Sequence, residues 1–236
     1  MRILIIDQCS GTKSHPEDYP IVNQEETKSE DPESLLESLG IEGIRAKDLY
    51  DGKQQRRITE AIHALTTKGH NVERFFVSAG FGLVNEDQRL PPYEATFNSM
   101  SQAEIAKRKD RFQLTQRVRE LIDTEGFDVV FLALGAKYYD TIDLNGILSS
   151  TPVETTVVLF NQEGMEEGYE QAVSVPARTE EGKRFGSTVV GLKGTYLKNF
   201  SAALCDSKDS ITPDEAAKYC LTDPSANSQS EIDNFS

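Results

Sequence analysis

No run of apolar residues in this chain approaches the ~18–20 needed to cross a bilayer. The opening stretch Ile3-Leu4-Ile5-Ile6 gives way at once to Asp7 and Gln8, too soon for the apolar core of a secretion signal. Cysteine is scarce: Cys9, Cys205 and Cys220 are odd in number and show no C-x-x-C spacing. That argues against a disulfide framework or a zinc knuckle and for a reducing compartment. His15, His63 and His70 share no metal-ligand spacing with one another or with the cysteines, so no metal is expected. There is no Gly-x-Ser-x-Gly elbow for a hydrolase triad, no internal repeat and no low-complexity tract. What remains is a chain of 236 residues, long enough to bury a core without disulfides or a structural metal. The expectation is a cytoplasmic protein without a membrane partner, with a single α/β domain over 1–205 and an acidic tail over 206–236.

Acidic charge is plentiful but unevenly spread. The net charge of -14 argues against nucleic acid as a partner. Yet the segment 15–38 holds eight acids against Lys28, and 206–236 holds seven against two lysines. Together these account for -12 of the -14, so the rest of the chain is close to neutral. Both segments are poor in apolar residues and rich in Ser, Pro, Asp and Glu, the composition of a solvated insert and a loose tail.

Short apolar runs alternate with segments of helical period. Strands are expected at Arg2 to Ile6, Arg74 to Ser78, Asp128 to Leu134 and Thr155 to Phe160, with a fifth at Ser187 to Gly191. Asp31 and Pro32 mark the start of a short helix to Leu39. A helix over Gln54 to Thr67 places Ile58, Ile62 and Leu65 on one face. Ser101 and Glu104 have capping-box spacing at the start of another helix. Its apolar phase changes near Phe112, where it breaks or is buried on two sides. Helices are also expected over Thr195 to Leu204 and, docked loosely in the tail, over Pro213 to Leu221. Strands apolar on both sides and separated by helices indicate a Rossmann-like α/β fold. The sheet is mainly parallel, with about five strands and helices on both faces.

In such folds ligands bind beyond the carboxyl ends of the strands. The first of these ends runs Cys9-Ser10-Gly11-Thr12-Lys13, a turn that can offer backbone N–H groups and one cation to an anion. It lacks the Walker spacing, so it is no P-loop. Beside Lys13, Cys9 is a candidate nucleophile, or else a small buried packing residue. Asp48 and Tyr50 precede a helix, where Asp48 could act as a general base or simply cap the loop. Ser78-Ala79-Gly80-Phe81-Gly82 opens a long connection that reaches Tyr93 and Thr96. Gly80 and Gly82 permit close backbone approach to a ligand, but the third glycine of a dinucleotide fingerprint is absent. No cofactor is therefore expected. Gly135 and Lys137 after the third strand, and Lys193 later in the chain, repeat the pattern of a glycine and a lysine beside a helix start. They are further candidates for an anion, or ordinary helix starts. The run Lys107, Arg108, Lys109 and Arg111 is interleaved with acids around its helix and reads as a solvated face.

The order of these blocks resembles a group of short uncharacterised microbial and phage proteins. In them a C-S-x-x-K turn, an A-R-D-L-Y segment and an S-A-x-x-G-L block ending in Pro-Tyr recur, matching this chain over roughly residues 1–145. The third block is also similar to the corresponding stretch of the YaaA peroxide-stress proteins. Lys47 stands where an arginine is usual, and Phe81 where Lys-Tyr or Lys-His is common, so no cationic role carries over to Phe81. The resemblance implies a Rossmann-type domain acting on nucleotides or nucleic-acid bases. The gathering of these loops at one sheet edge points, independently of it, to an enzyme acting on a nucleotide, nucleoside or base by glycosyl or group transfer. In that role Cys9, Asp48 and Tyr93 would be catalytic, Tyr93 stacking on a base, with Ser10, Lys13, Tyr50, Ser78, Gly80, Gly82, Thr96, Gly135, Lys137 and Lys193 holding the ligand. The YaaA likeness implies the alternative of a non-catalytic DNA-binding or oxidative-stress protein, and a nucleotide-sensing domain is a third reading.

Overall fold

A strand that is apolar at every position from Ile3 to Ile6 has no face to offer water and must lie between two layers. The computed structural model describes residues 1–28, 31–206 and 208–223, and in it this strand, β1 (Arg2–Gln8), is the third of six in one sheet. After it come α1 (Pro32–Leu39), β2 (Ile44–Arg45), α2 (Ala46–Leu49), α3 (Lys53–Thr67), β3 (Asn71–Ser78), β4 (Gly82–Asn85) and β5 (Arg89–Leu90). Helices α4 (Gln102–Arg111) and α5 (Leu114–Glu125) precede β6 (Val129–Ala133), which α6 (Ala136–Tyr139) and α7 (Leu144–Ser150) follow. The order ends with β7 (Thr156–Phe160), β8 (Ala172–Val175), α8 (Thr179–Arg184), α9 (Val189–Ala203) and α10 (Pro213–Leu221).

The sheet runs β4-β3-β1-β6-β7-β8, parallel throughout except for β4, which pairs antiparallel with β3. Side chains of β1 alternate between two cores. Leu4 and Ile6 join Val118, Ile122, Ile147 and Leu148 of α5 and α7. Ile3 and Ile5 join Ile58 and Leu65 of α3, Leu192 and Leu197 of α9, and Ala216 and Cys220 of α10. The Rossmann-like α/β class is thus observed, with helices on both faces. Because the chain passes from β1 to β3 on one side and later to β6 on the other, the carboxyl ends of β1 and β6 border the crevice where such sheets bind ligands.

The fifth strand expected at Ser187 to Gly191 is instead the start of α9. Thr188 caps that helix by accepting from Gly191 N at 3.3 Å. The β-branched pair Val189-Val190 mimics a strand, but Val190 is 65% exposed on the helix's first turn. The outer strand is supplied by Ala172–Val175. The expected break at Phe112 falls between α4 and α5, where Gln113 adopts a left-handed φ of 49°. The capping box of Ser101 and Glu104 is present, and Asp31 caps α1 with Pro32 in its first turn.

Neither acidic segment is wholly solvated. Val22, Thr27 and Leu35 of the insert are buried, and Val22 is stitched to the loop after β5, its N–H donating to Pro92 O at 2.8 Å and its carbonyl accepting from Glu94 N at 3.0 Å. In the tail, α10 packs on α9 with Ala216 and Cys220 fully buried, so it belongs to the core rather than being loosely docked. Residues 224–236 lie outside the described residues. Among the described residues no helix is long and apolar enough to cross a membrane.

Candidate functional site

The hydrogen bonding of β1 continues one residue past the strand, with Cys9 N donating to Val77 O at 3.1 Å. From there the chain turns along the sheet's edge. Lys13 forms an isolated antiparallel bridge with Tyr50, and Ser14 N donates to Leu49 O at 2.8 Å. This fixes the Cys9–Lys13 turn against the segment leading to α3. Beside the turn lies a cleft of about 480 Å³. Gly11 and Lys13 line one side, His15, Ile21 and Gln24 of the acidic insert another, and residues from Tyr93 to Ser99 the third.

Beneath the cleft is a layer of buried hydroxyls. Tyr93 OH lies 2.8 Å from both Tyr50 OH and Ser78 Oγ, and Ser78 Oγ accepts from the N–H groups of Gly80 and Phe81 at 3.2 and 3.1 Å. Tyr138 OH lies 3.1 Å from Cys9 Sγ and 3.3 Å from Thr96 Oγ1. Burial pushes the phenols of Tyr50, Tyr93 and Tyr138 well above their ordinary range, so each keeps its proton at neutral pH and serves as a fixed hydrogen-bonding group rather than a base.

Lys13 is the cation of this cleft. Its ammonium rests 4.4 Å from the centre of the Tyr93 ring and donates to Ser10 O at 3.2 Å. Burial lowers its pKa, while the neighbouring Cys9 and Glu94 pull it back up. It forms no ion pair among the described residues. Its remaining N–H donors are free for an anionic ligand.

Of the residues expected at the site, Cys9, Ser10, Lys13, Tyr50, Ser78, Tyr93 and Thr96 converge. Their roles differ from those expected. Cys9 is buried and bonded to Tyr138, not presented to the cleft as a nucleophile. Cys220 is buried as well, whereas Cys205 is exposed. A thiol reagent such as Ellman's therefore titrates one cysteine per chain in the native protein and three after denaturation; rapid native reaction of Cys9 would refute this placement. Tyr93 cannot stack on a ligand, because Lys13 covers one ring face and Phe81 packs edge-on with centroids 5.0 Å apart. Gly80 permits that packing: a Cβ there would lie 2.7 Å from the Tyr93 ring. Gly82, at φ 76°, fits the same way against Phe112.

Asp48 is not in the cleft. It is half exposed and held 2.7 Å from Arg45, because the four-residue helix α2 turns it back toward the residue three positions earlier. Lys137 donates to Met100 O at 2.7 Å and so ties α6 to the loop before α4. Gly135 N donates to Gln8 Oε1 at 2.6 Å, joining the ends of β6 and β1 without lining the cleft. Lys193 lies across the sheet, on the face covered by α3 and α9.

Several contributors were not singled out from the sequence. Glu94 is the only carboxylate among the residues lining the cleft, and it lies inside a block already marked by its neighbour Tyr93. Arg108 is buried, not solvated: it donates to Ala79 O, to Gln24 O at 3.0 Å and to Thr27 Oγ1 at 3.3 Å. It thereby binds the insert to the loop after β3. Among the described residues no group of three or more His, Cys, Asp or Glu side chains is placed to hold a metal.

Comparison with known proteins covers three of the four blocks read from the sequence and leaves out the Cys9–Lys13 turn. Residues 41–160, just over half of the chain, match the family model of DUF6884. No curated protein matches the chain. The matched span contains α2, α3, the strands β2 to β7, the cleft residues Tyr93, Glu94 and Thr96, and Tyr50 and Ser78 beneath them. The chain belongs to DUF6884, a family of unknown function.

Proposed function

We propose that the chain binds a nucleotide or a nucleoside-derived small molecule in the cleft and acts on it by glycosyl or group transfer. The observation that carries this reading is Lys13, a partly desolvated ammonium on the cleft wall that forms no salt bridge among the described residues and has Glu94 as its nearby carboxylate. Such a cation favours a phosphate, since the ligand's charge replaces the hydration that burial removes. Around it, Gln24, Thr96 and Ser99 offer hydrogen bonds to sugar hydroxyls and a base edge. Glu94 takes the part first expected of Asp48: it accepts a proton from a hydroxyl or a water that attacks the bound substrate. Cys9 and the three tyrosines form a rigid floor that holds the Lys13 turn in position.

The test is thermal unfolding of the pure protein with nucleotides, followed by chromatography of the mixtures for released base or transferred group. Nucleotides stabilise the wild type, and Lys13→Met weakens their binding by roughly 10- to 100-fold, the worth of one charge-assisted hydrogen bond. Glu94→Gln keeps the stabilisation and loses turnover. No stabilisation by any nucleotide, or an unchanged response in Lys13→Met, refutes the reading. Salt-sensitive retardation of duplex DNA in its place would favour the DNA-binding alternative.

A further inference from the structure

Across the sheet from Lys13, a second group of polar side chains surrounds Asp7, at the carboxyl end of β1. Helix α3 directs its N-terminus at this edge. Gln54 and Gln55 in its first turn donate to Asp7 Oδ1 at 2.5 and 3.3 Å. Its N-cap is Gly52, so no side chain caps the first-turn N–H groups. That alone is an ordinary feature of an α/β fold.

Two buried groups beside it are not ordinary. Lys193 of α9 is 7% exposed, yet among the described residues it has neither a hydrogen-bond nor an ion-pair partner. Its helix sits directly on the first turn of α3, where a Cβ at Gly194 would lie 2.7 Å from Gln54 O. Gln54 is 1% exposed. Its Nε2 is committed to Asp7 and to Ala133 O at 2.8 Å, which leaves its Oε1 buried without a partner. The opposite amide orientation would set that oxygen against two acceptors, so the orphan is not an arbitrary choice of atom.

Charge adds to the argument. Asp7 is already neutralised by Arg74 at 2.6 Å, so Lys193 is a surplus cation, largely buried but with its ammonium not wholly sealed from solvent. Burial lowers its pKa and the nearby Asp7 opposes that. A desolvated ammonium calls for an anion, and an orphaned carbonyl oxygen calls for a donor. A helix N-terminus supplies further donors to an anion. One ligand chemistry satisfies all three.

We propose that Lys193, Gln54 Oε1 and the first turn of α3 form a subsite for a phosphomonoester of a sugar. The phosphoryl oxygens accept from the Lys193 ammonium and the backbone N–H groups of α3, and a sugar hydroxyl donates to Gln54 Oε1. The subsite lies between the carboxyl ends of β1 and β6, and it does not depend on the reading of the Lys13 cleft.

The experiment is thermal unfolding followed by circular dichroism, with inorganic phosphate, ribose phosphate, a nucleoside monophosphate and sulfate as separate additions. Ribose phosphate raises the wild-type melting temperature by about 5–10 °C at roughly a hundredfold excess over Kd. Inorganic phosphate acts more weakly, and sulfate least. In Lys13→Met, where the other cleft is weakened, a response to the nucleotide equal to that to ribose phosphate identifies the sugar phosphate as the part recognised. Lys193→Met loses at least about tenfold in affinity for ribose phosphate, the worth of a charge-assisted bond. It also melts higher than wild type without ligand, because an unpaired buried charge has been removed. Lys193→Gln, which keeps a polar side chain, shows the same loss of binding. Lys13→Met keeps the full response to ribose phosphate, whatever it loses toward the nucleotide. The subsite is overturned by a wild type indifferent to every phosphate, by unchanged binding in both Lys193 variants, or by a loss that follows Lys13→Met instead. Ribose phosphate acting no better than sulfate overturns the ligand class.

Discussion

Arg74→Met lowers the stability of the fold by roughly 3–5 kcal/mol, the cost of removing one partner from a buried ion pair. Arg74 Nη2 and Asp7 Oδ2 are 2.6 Å apart, with side chains 1% and 0% exposed. The guanidinium also donates to Thr59 Oγ1 at 3.0 Å and lies 4.4 Å over the Phe76 ring. Methionine fills much of that volume but leaves the Asp7 carboxylate in the interior without a cation. The double variant Asp7→Leu/Arg74→Met recovers most of the loss. Once the carboxylate is gone, Gln54 still donates to Ala133 O at 2.8 Å and Gln55 to Gln8 O at 2.9 Å, so neither amide is stranded. Urea unfolding followed by circular dichroism measures both variants, and a double variant as unstable as the single one would contradict this account. The pair earns its place by geometry: Asp7 gathers Gln54 and Gln55 and so fixes the start of α3 against the end of β1.

Much of this framework was legible in the sequence because its signals are local. A run such as Val129 to Ala133 is apolar on both faces wherever it lies, and Ser101 with Glu104 caps a helix from within four residues. The strand Ala172–Val175 carries no such signal. It has four residues and follows a polar loop, and only its partner β7 makes it a strand. Conversely, Val189-Val190 has strand-like side chains and lies in a helix, because Thr188 caps it and the apolar period of Leu192, Tyr196, Leu197 and Phe200 is helical. The convergence of Cys9, Lys13, Ser78 and Tyr93 followed from the rule that parallel sheets gather their loops at one edge. The orientation of Asp48 and Lys137 did not, since each sits on a four-residue helix whose phase no periodicity reveals. The insert misled for another reason. Composition averages over a segment, whereas Val22, Thr27 and Leu35 suffice to dock it.

Arg108→Met loosens the insert from the loop after β3 and costs about 2–3 kcal/mol, because it strands the buried Ala79 carbonyl and Thr27 hydroxyl that the guanidinium satisfied. Ala79 O loses its donor, Thr27 Oγ1 loses both Arg108 N–H groups, and Gln24 O keeps only the Thr27 hydroxyl. The aliphatic volume is nearly conserved, so the loss measures polar contacts rather than a cavity. Its distribution matters more than its size. The sheet and the two cores do not involve this side chain, while the wall formed by His15, Ile21 and Gln24 does. The variant therefore opens locally first: hydrogen exchange and proteolysis rise within residues 15–28 before the global transition, and nucleotide binding weakens in step. The pairing of Val22 with Pro92 and Glu94 still tethers the middle of the insert, so binding is reduced rather than abolished. A variant that loses global stability with the insert still fully protected would make Arg108 a core residue only. The cleft would then owe its third wall to the Val22 pairing alone.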